Sequence, residues 1–200
     1  MKVAQIECLQ FRGPQTKPED CDGAVDTAVI RITADNGQYG LGETDAPPHV
    51  IAALLAAPSA HVWSLSIRDL LIGENPLEVE RLWDKVYDGT IYHGRRGLGI
   101  MLMSAIDNAL HDLRGKALGL PVYEVLGGAA RKEVHPYATL FPGLSQGRSW
   151  KEVAKHCLSL LESAISRGFR AVKMETLFDD LISDRQWVDF ICQCRPDRRR

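Results

Sequence analysis

The sequence predicts an α+β region, an antiparallel meander plus helices, over residues 1–128, followed by the first βαβα units of a parallel sheet or barrel over residues 129–200. Three observations predict it. Ala28, Ile30 and Ile32 alternate with Val29, Arg31 and Thr33, the period of a half-buried strand. Met101, Leu102, Ala105, Ile106, Ala109, Leu110 and Leu113 lie on one broad stripe at helical spacing. From Val134 onward strand-like and helix-like stretches alternate, the grammar of parallel strands joined by crossover helices.

Taken in order, the first 45 residues read as three antiparallel strands. Asp35-Asn36-Gly37 supplies the positive-φ turn between the second strand and a return strand through Tyr39 and Leu41. The stretch Phe11 to Gly23, rich in Pro, Gly and charge, is expected to be a mobile loop. Asn75, Pro76 and Glu78 resemble a capping box opening a helix that carries Val79, Leu82, Trp83, Val86 and Tyr87. The long helix runs from about Leu98 to Ala117 and is stopped by Gly119 and Pro121. VHPYATL then reads as a strand, and Ser149 with Glu152 as the capping box of a helix through Val153, Cys157, Leu160, Leu161, Ala164 and Ile165. Gly168 ends that helix, FRAVKME follows as a strand, and Ser183 with Gln186 caps a last helix that cannot pass Pro196.

Composition narrows the function classes. With 45% hydrophobic and 25% charged residues, the 200-residue chain can bury a sizeable core. A formal net charge of −2 steers it toward neither nucleic acid nor an anionic membrane. The five scattered cysteines suit a reducing compartment, and Gln5, Glu7 and Gln10 interrupt any apolar leader, so the cytoplasm is expected.

Lys173 and Glu175 end the second βα strand two residues apart, so their side chains leave the same face. Function in parallel α/β proteins gathers at the carboxyl ends of strands. A desolvated lysine near other cations serves as a general base, whereas an adjacent glutamate favours the ammonium form. Two readings follow: a catalytic pair, or an interior ion pair closing the barrel mouth. Asp107 and His111, four apart, read as metal ligands or as a helix salt bridge, and Arg95 and Arg96 as anion holders or solvated side chains. Glu43 reads as closing a sheet edge.

The segment Ser104 to Gly128 closely resembles the signature of the mandelate racemase and muconate lactonizing enzyme family of the enolase superfamily, through Ala105, Asp107, Asp112, Gly115-Lys116, Pro121 and Gly127-Gly128. The resemblance extends through Gly40 to Glu43, Tyr92 to Gly99 and Gly168 to Glu175. It implies an enolase-like N-terminal capping domain over residues 1–128 and the start of an incomplete TIM barrel over 129–200. The implied chemistry is Mg²⁺-assisted proton abstraction α to a carboxylate, of acid-sugar dehydratase or racemase type, on a small carboxylate substrate. Lys173 matches the first lysine of the family's Lys-x-Lys, and Glu175 stands where the second, the base, is expected. His111 stands where a tryptophan is common. The family's capping loops match Phe11 to Gly23 and Asp45 to Trp63.

The magnesium ligands implied by the family come from later barrel strands, and a barrel needs ~200 residues or more. The expectation is therefore an amino-terminal portion, truncated or frame-disrupted at its RPDRRR end and inactive as it stands, with its metal ligands beyond these residues. The alternative is a non-catalytic capping or interaction fragment, or an unstable remnant, self-associating through its open barrel edge.

Overall fold

The computed structural model describes residues 1–13, 26–143, 147–175 and 182–194. Contacts divide them into two compact units, the first reaching Ala130 and the second beginning at Arg131.

In the first unit, β1 (Val3–Arg12), β2 (Asp26–Ala34) and β3 (Tyr39–Thr44) form an antiparallel sheet in the order β1-β2-β3. The alternation in β2 is expressed as expected: Ala28, Ile30, Ile32 and Ala34 are buried, and their neighbours are partly exposed. Gly37, at φ 84°, makes the turn, and Asn36 Oδ1 accepts the Gln38 amide at 3.1 Å. Behind the sheet pack α1 (Pro48–Ala56), α2 (Ile67–Leu71), α3 (Val79–Gly89) and α4 (Leu98–Leu118). Gly119 closes α4 in the left-handed conformation. The short α5 (Val122–Val125) follows.

The contact between β3 and α4 sets the geometry of this unit. A Cβ on Gly40 would stand 2.0 Å from the Ala109 carbonyl oxygen, and one on Gly42 would stand 1.8 Å from that of Ala105. The strand backbone thus lies directly on the helix backbone, with alanines beneath it. On the strand edge away from β2, the Leu41 amide donates to Asp112 Oδ2 at 2.8 Å and Lys116 Nζ donates to the Tyr39 carbonyl at 2.9 Å. Lys116 and Asp112 are themselves paired at 2.7 Å. The signature residues Asp112 and Lys116 therefore satisfy an edge that would otherwise be open to pairing.

A second tie joins the N-terminal strand to α3. The backbone of Val3 exchanges hydrogen bonds with Gly73 and Glu74, while the Glu74 side chain meets Lys85 at 2.5 Å and Arg81 at 2.6 Å. Those two cations hold the Glu74 carboxyl down at about 2.

In the second unit, β4 (Ala138–Leu140) and β5 (Val172–Met174) pair in parallel, with Thr139 opposite Lys173. The ladder continues through Ala138 N–H to Ala171 and Glu175 N–H to Leu140. Between them runs α6 (Trp150–Ser166), opened by the expected capping box: Glu152 accepts from the Ser149 amide and hydroxyl at 2.8 and 2.7 Å. After β5, α7 (Asp184–Cys194) is capped by Ser183 with Gln186 as expected. Val153, Cys157, Ile182, Trp187 and Phe190 form the core of this unit, with Trp150 edge-on to both aromatic rings.

Several expectations are corrected. Phe11 and Arg12 belong to β1, paired with Thr27 and Asp26, and residues 14–23 of the expected loop lie outside the described residues. Asp45 to Trp63 is not a plain loop: it contains α1, whose Pro48 sits in the first turn, where a missing amide costs nothing. Asn75 does not cap α3. Its Oδ1 accepts from Leu77 at 3.2 Å in a local turn, and the helix begins at Val79. VHPYATL and FRAVKME shrink to three-residue strands because only the backbones towards their carboxyl ends find partners, and Val134 is 83% exposed. The α2 and α5 helices and a 3₁₀ turn at Ile91–His93 were not expected, and Pro196 with the rest of RPDRRR lies outside the described residues.

Gly42→Ala is expected to cost ~3 kcal/mol, since backbone must move to admit the methyl. Gly37→Ala, in open space but at positive φ, should cost only ~1 kcal/mol. Equal urea midpoints for the two variants would contradict the close packing of β3 on α4.

Candidate functional site

Strand alternation on β5 divides its residues between two faces. Met174 packs against the Trp187 and Phe190 core beside α6 and α7, so Lys173 and Glu175 occupy the other face. In a (β/α) barrel the helices cover the outside, which makes this second face the interior one. Lys173 Nζ and Glu175 Oε1 are 2.5 Å apart, at the carboxyl end of the strand. Thr139 stands beside Lys173 in register on β4. Tyr137 lies two residues before Thr139 and acts electrostatically on Lys173. Neither Thr139 nor Tyr137 was singled out from the sequence, although the same two-residue period that pairs Lys173 with Glu175 pairs them as well.

The electrostatics of the pair run against base catalysis. The hydrogen bond and charge of Glu175 raise the Lys173 pKa above the ordinary 10.5, with Tyr137 adding a little and desolvation opposing weakly. An ammonium group has no lone pair to accept a substrate proton. The side chains are 53% and 40% exposed, so water screens the pair and it adds little to stability. What it does contribute is present below the ordinary lysine value and lost as pH rises through the raised one.

The other candidates resolve into local contacts. Asp107 and His111 stand 4.0 Å apart on one helical face, beside an Arg114–Glu80 pair at 3.4 Å. Arg95 is not a solvated side chain: its guanidinium lies 3.4 Å from the centre of the Tyr87 ring, which stacks in turn on Trp83. Arg96 is exposed. Glu43 accepts the Thr27 hydroxyl at 2.8 Å across the sheet. Among the described residues, no group of three or more His, Cys, Asp or Glu side chains converges on a point, and Glu175 is engaged by Lys173, so these residues do not fit a magnesium site. No helix among them is long and apolar enough to cross a membrane.

Comparison with known proteins agrees with this layout. The family described as mandelate racemase/muconate lactonizing enzyme, N-terminal domain, matches residues 19–127. The chain belongs to this family, within the enolase superfamily. An L-rhamnonate dehydratase of Saccharopolyspora erythraea is 36% identical over 113 residues, covering 56% of this chain and 27% of the relative. A D-galactarolactone cycloisomerase of Agrobacterium fabrum is 32% identical over 150 residues, covering 75% of this chain and 36% of the relative. A mandelate racemase/muconate lactonizing protein of Paracoccus denitrificans, solved in complex with magnesium, superposes with a TM-score of 0.69 at 27% identity, covering 89% of this chain and 43% of that one. The chain thus spans less than half the length of these three proteins. Its architecture is the family's capping domain followed by a parallel strand pair that matches the start of the family's barrel.

A titration of Lys173 followed by NMR of labelled lysine side chains should place its deprotonation above 10.5 in the native chain, and nearer the ordinary value in Glu175→Gln. A midpoint below 10.5 in the native chain would restore Lys173 as a base.

Proposed function

We propose that residues 1–128 are the capping domain, and residues 129–200 the barrel start, of an acid-sugar dehydratase or racemase acting on a small carboxylate substrate in the cytoplasm. The observation that carries this reading is Lys173 at the carboxyl end of β5, on the face away from α6 and α7, in a chain of this family. In this reading Lys173 offers a fixed positive charge to a substrate carboxylate, with the Thr139 hydroxyl alongside. Glu175 occupies the position where a second lysine would act as base. Proton abstraction then depends on a base and on magnesium ligands that the described residues do not supply, and on this reading the chain alone turns over no substrate. Four free cysteines among the described residues support a reducing compartment. The net charge of −2 supports neither a nucleic-acid nor a membrane partner.

Incubating the purified chain with magnesium and a panel of acid sugars in D₂O should give no α-proton exchange, and calorimetric titration should show only weak magnesium binding. Exchange that disappears in Lys173→Met, or a single magnesium site tighter than ~100 μM, would overturn the inactive reading, since such a site requires several oxygen ligands.

A specific observation favours a second role, self-association. Among the described residues β5 pairs only with β4, leaving one edge open. Ile165, Val188 and Ile191 are 59, 55 and 43% exposed on the helices beside it. Sedimentation of the purified chain should therefore show dimers or larger species. A monodisperse monomer across the micromolar range would contradict this.

A further inference from the structure

The opposite end of the same two strands carries a different constellation. His135 and Pro136, just before β4, and Arg167, Gly168, Phe169 and Arg170, just before β5, line a hollow of about 290 Å³. It lies at the amino ends of the strands, the end away from Lys173 and Glu175.

Two features keep its cations available. The first is backbone closure of α6. Its terminal carbonyls are taken by the amides of Arg167, Gly168 and Phe169, through Ser163, Ala164 and Ile165, so the helix end does not depend on the Arg167 side chain. The second is the absence of counter-ions. Among the described residues neither Arg167 nor Arg170 is ion-paired with a carboxylate, whereas Arg31, Arg81, Arg114 and Arg185 are. The Arg167 guanidinium instead lies over the Phe169 ring, 5.6 Å from its centre, which restrains the group without neutralising it. Gly168, at φ 89°, turns the chain so that both arginines line the same depression.

We propose that this hollow is an anion-binding site for a phosphate dianion, either free or as the phosphoryl group of a small monoester. Two guanidinium groups on one short loop provide forked donors matched to phosphate oxygens, and His135, just before β4, lines the same hollow. The site needs no residue of the Lys173 face, and it stands or falls independently of the proposed enzyme reading.

The test is a titration of the whole chain with inorganic phosphate and separately with glycerol 3-phosphate, at ionic strength held constant with sodium chloride. Binding is read from amide shifts of Gly168 and Arg170 by NMR. Saturable shifts are expected, weakened about tenfold or more by Arg167→Gln/Arg170→Gln and less by the charge-keeping Arg167→Lys/Arg170→Lys pair. Arg96→Gln, in the other unit, should leave them unchanged. Tighter binding of the monoester would identify an organic phosphate as the source, and equal binding would identify the free ion. Equal shifts from chloride alone, or an undiminished response in the double glutamine variant, would overturn the proposal.

Discussion

The direct contact of β3 with α4 is the constraint on which the first unit depends. Side chains between a strand and a helix normally hold the backbones well apart, but Gly40 and Gly42 remove that spacing and Ala105 and Ala109 keep the helix surface low. Once the backbones touch, any added carbon must displace a main-chain oxygen, which is not a soft neighbour. The same approach brings Asp112 and Lys116 within reach of the strand edge. A helix i,i+4 pair thereby takes over the hydrogen bonding of a missing fourth strand. Much of the family signature in α4 is thus a description of this junction, and that explains how a chain can carry most of it while holding no reacting group there.

Chemistry, in contrast, falls on the unit with the smaller core. The large cluster running from Val3 to Leu113 draws on β1, β2 and four helices of the first unit, whereas the second rests on a few aromatic and aliphatic contacts among α6, α7, Ile182 and Met174. Parallel strands are ordinarily buried on both faces with neighbours on each side. A lysine becomes a base by desolvation or by neighbouring cations. Lys173 has a carboxylate for a neighbour and half of its side chain in water, so desolvation acts on it only weakly and the charge beside it has the opposite effect to a cation's. On the proposed reading, the identity of residue 175, just after β5, therefore matters more to the reaction than the presence of Lys173.

The sequence was most legible where one periodicity dominates. Residues 28–34 alternate cleanly, and the stripe on α4 fills a continuous face, because burial alone sets both patterns. The common face of Lys173 and Glu175 followed from the strand period for the same reason. It was least legible where a local signal has two uses. Asp45 to Trp63 matches a capping loop, yet Pro48 within it also starts a helix, α1. Asn75 reads as a cap, but its side chain satisfies a turn four residues before the helix begins at Val79. Val134 has strand propensity but Pro136 has no amide to donate, and with no partner strand among the described residues Val134 to Pro136 stay exposed. Thr139 was missed because it carries no charge to draw notice, although register alone places it beside Lys173.

Charge is distributed unequally along the two parallel strands. At the carboxyl ends the lysine is met by a glutamate two residues on, so the pair presents a dipole and not a net cation. At the amino ends Arg167 and Arg170 keep their full charge, restrained on one side by an aromatic ring. An anion arriving from solvent gains more from two unneutralised guanidinium groups than from an ammonium already hydrogen-bonded to a carboxylate, because displacing that carboxylate would cost an existing charge-assisted bond. For the carboxyl end to take an acid anion with comparable strength, Glu175 must first be drawn away from Lys173.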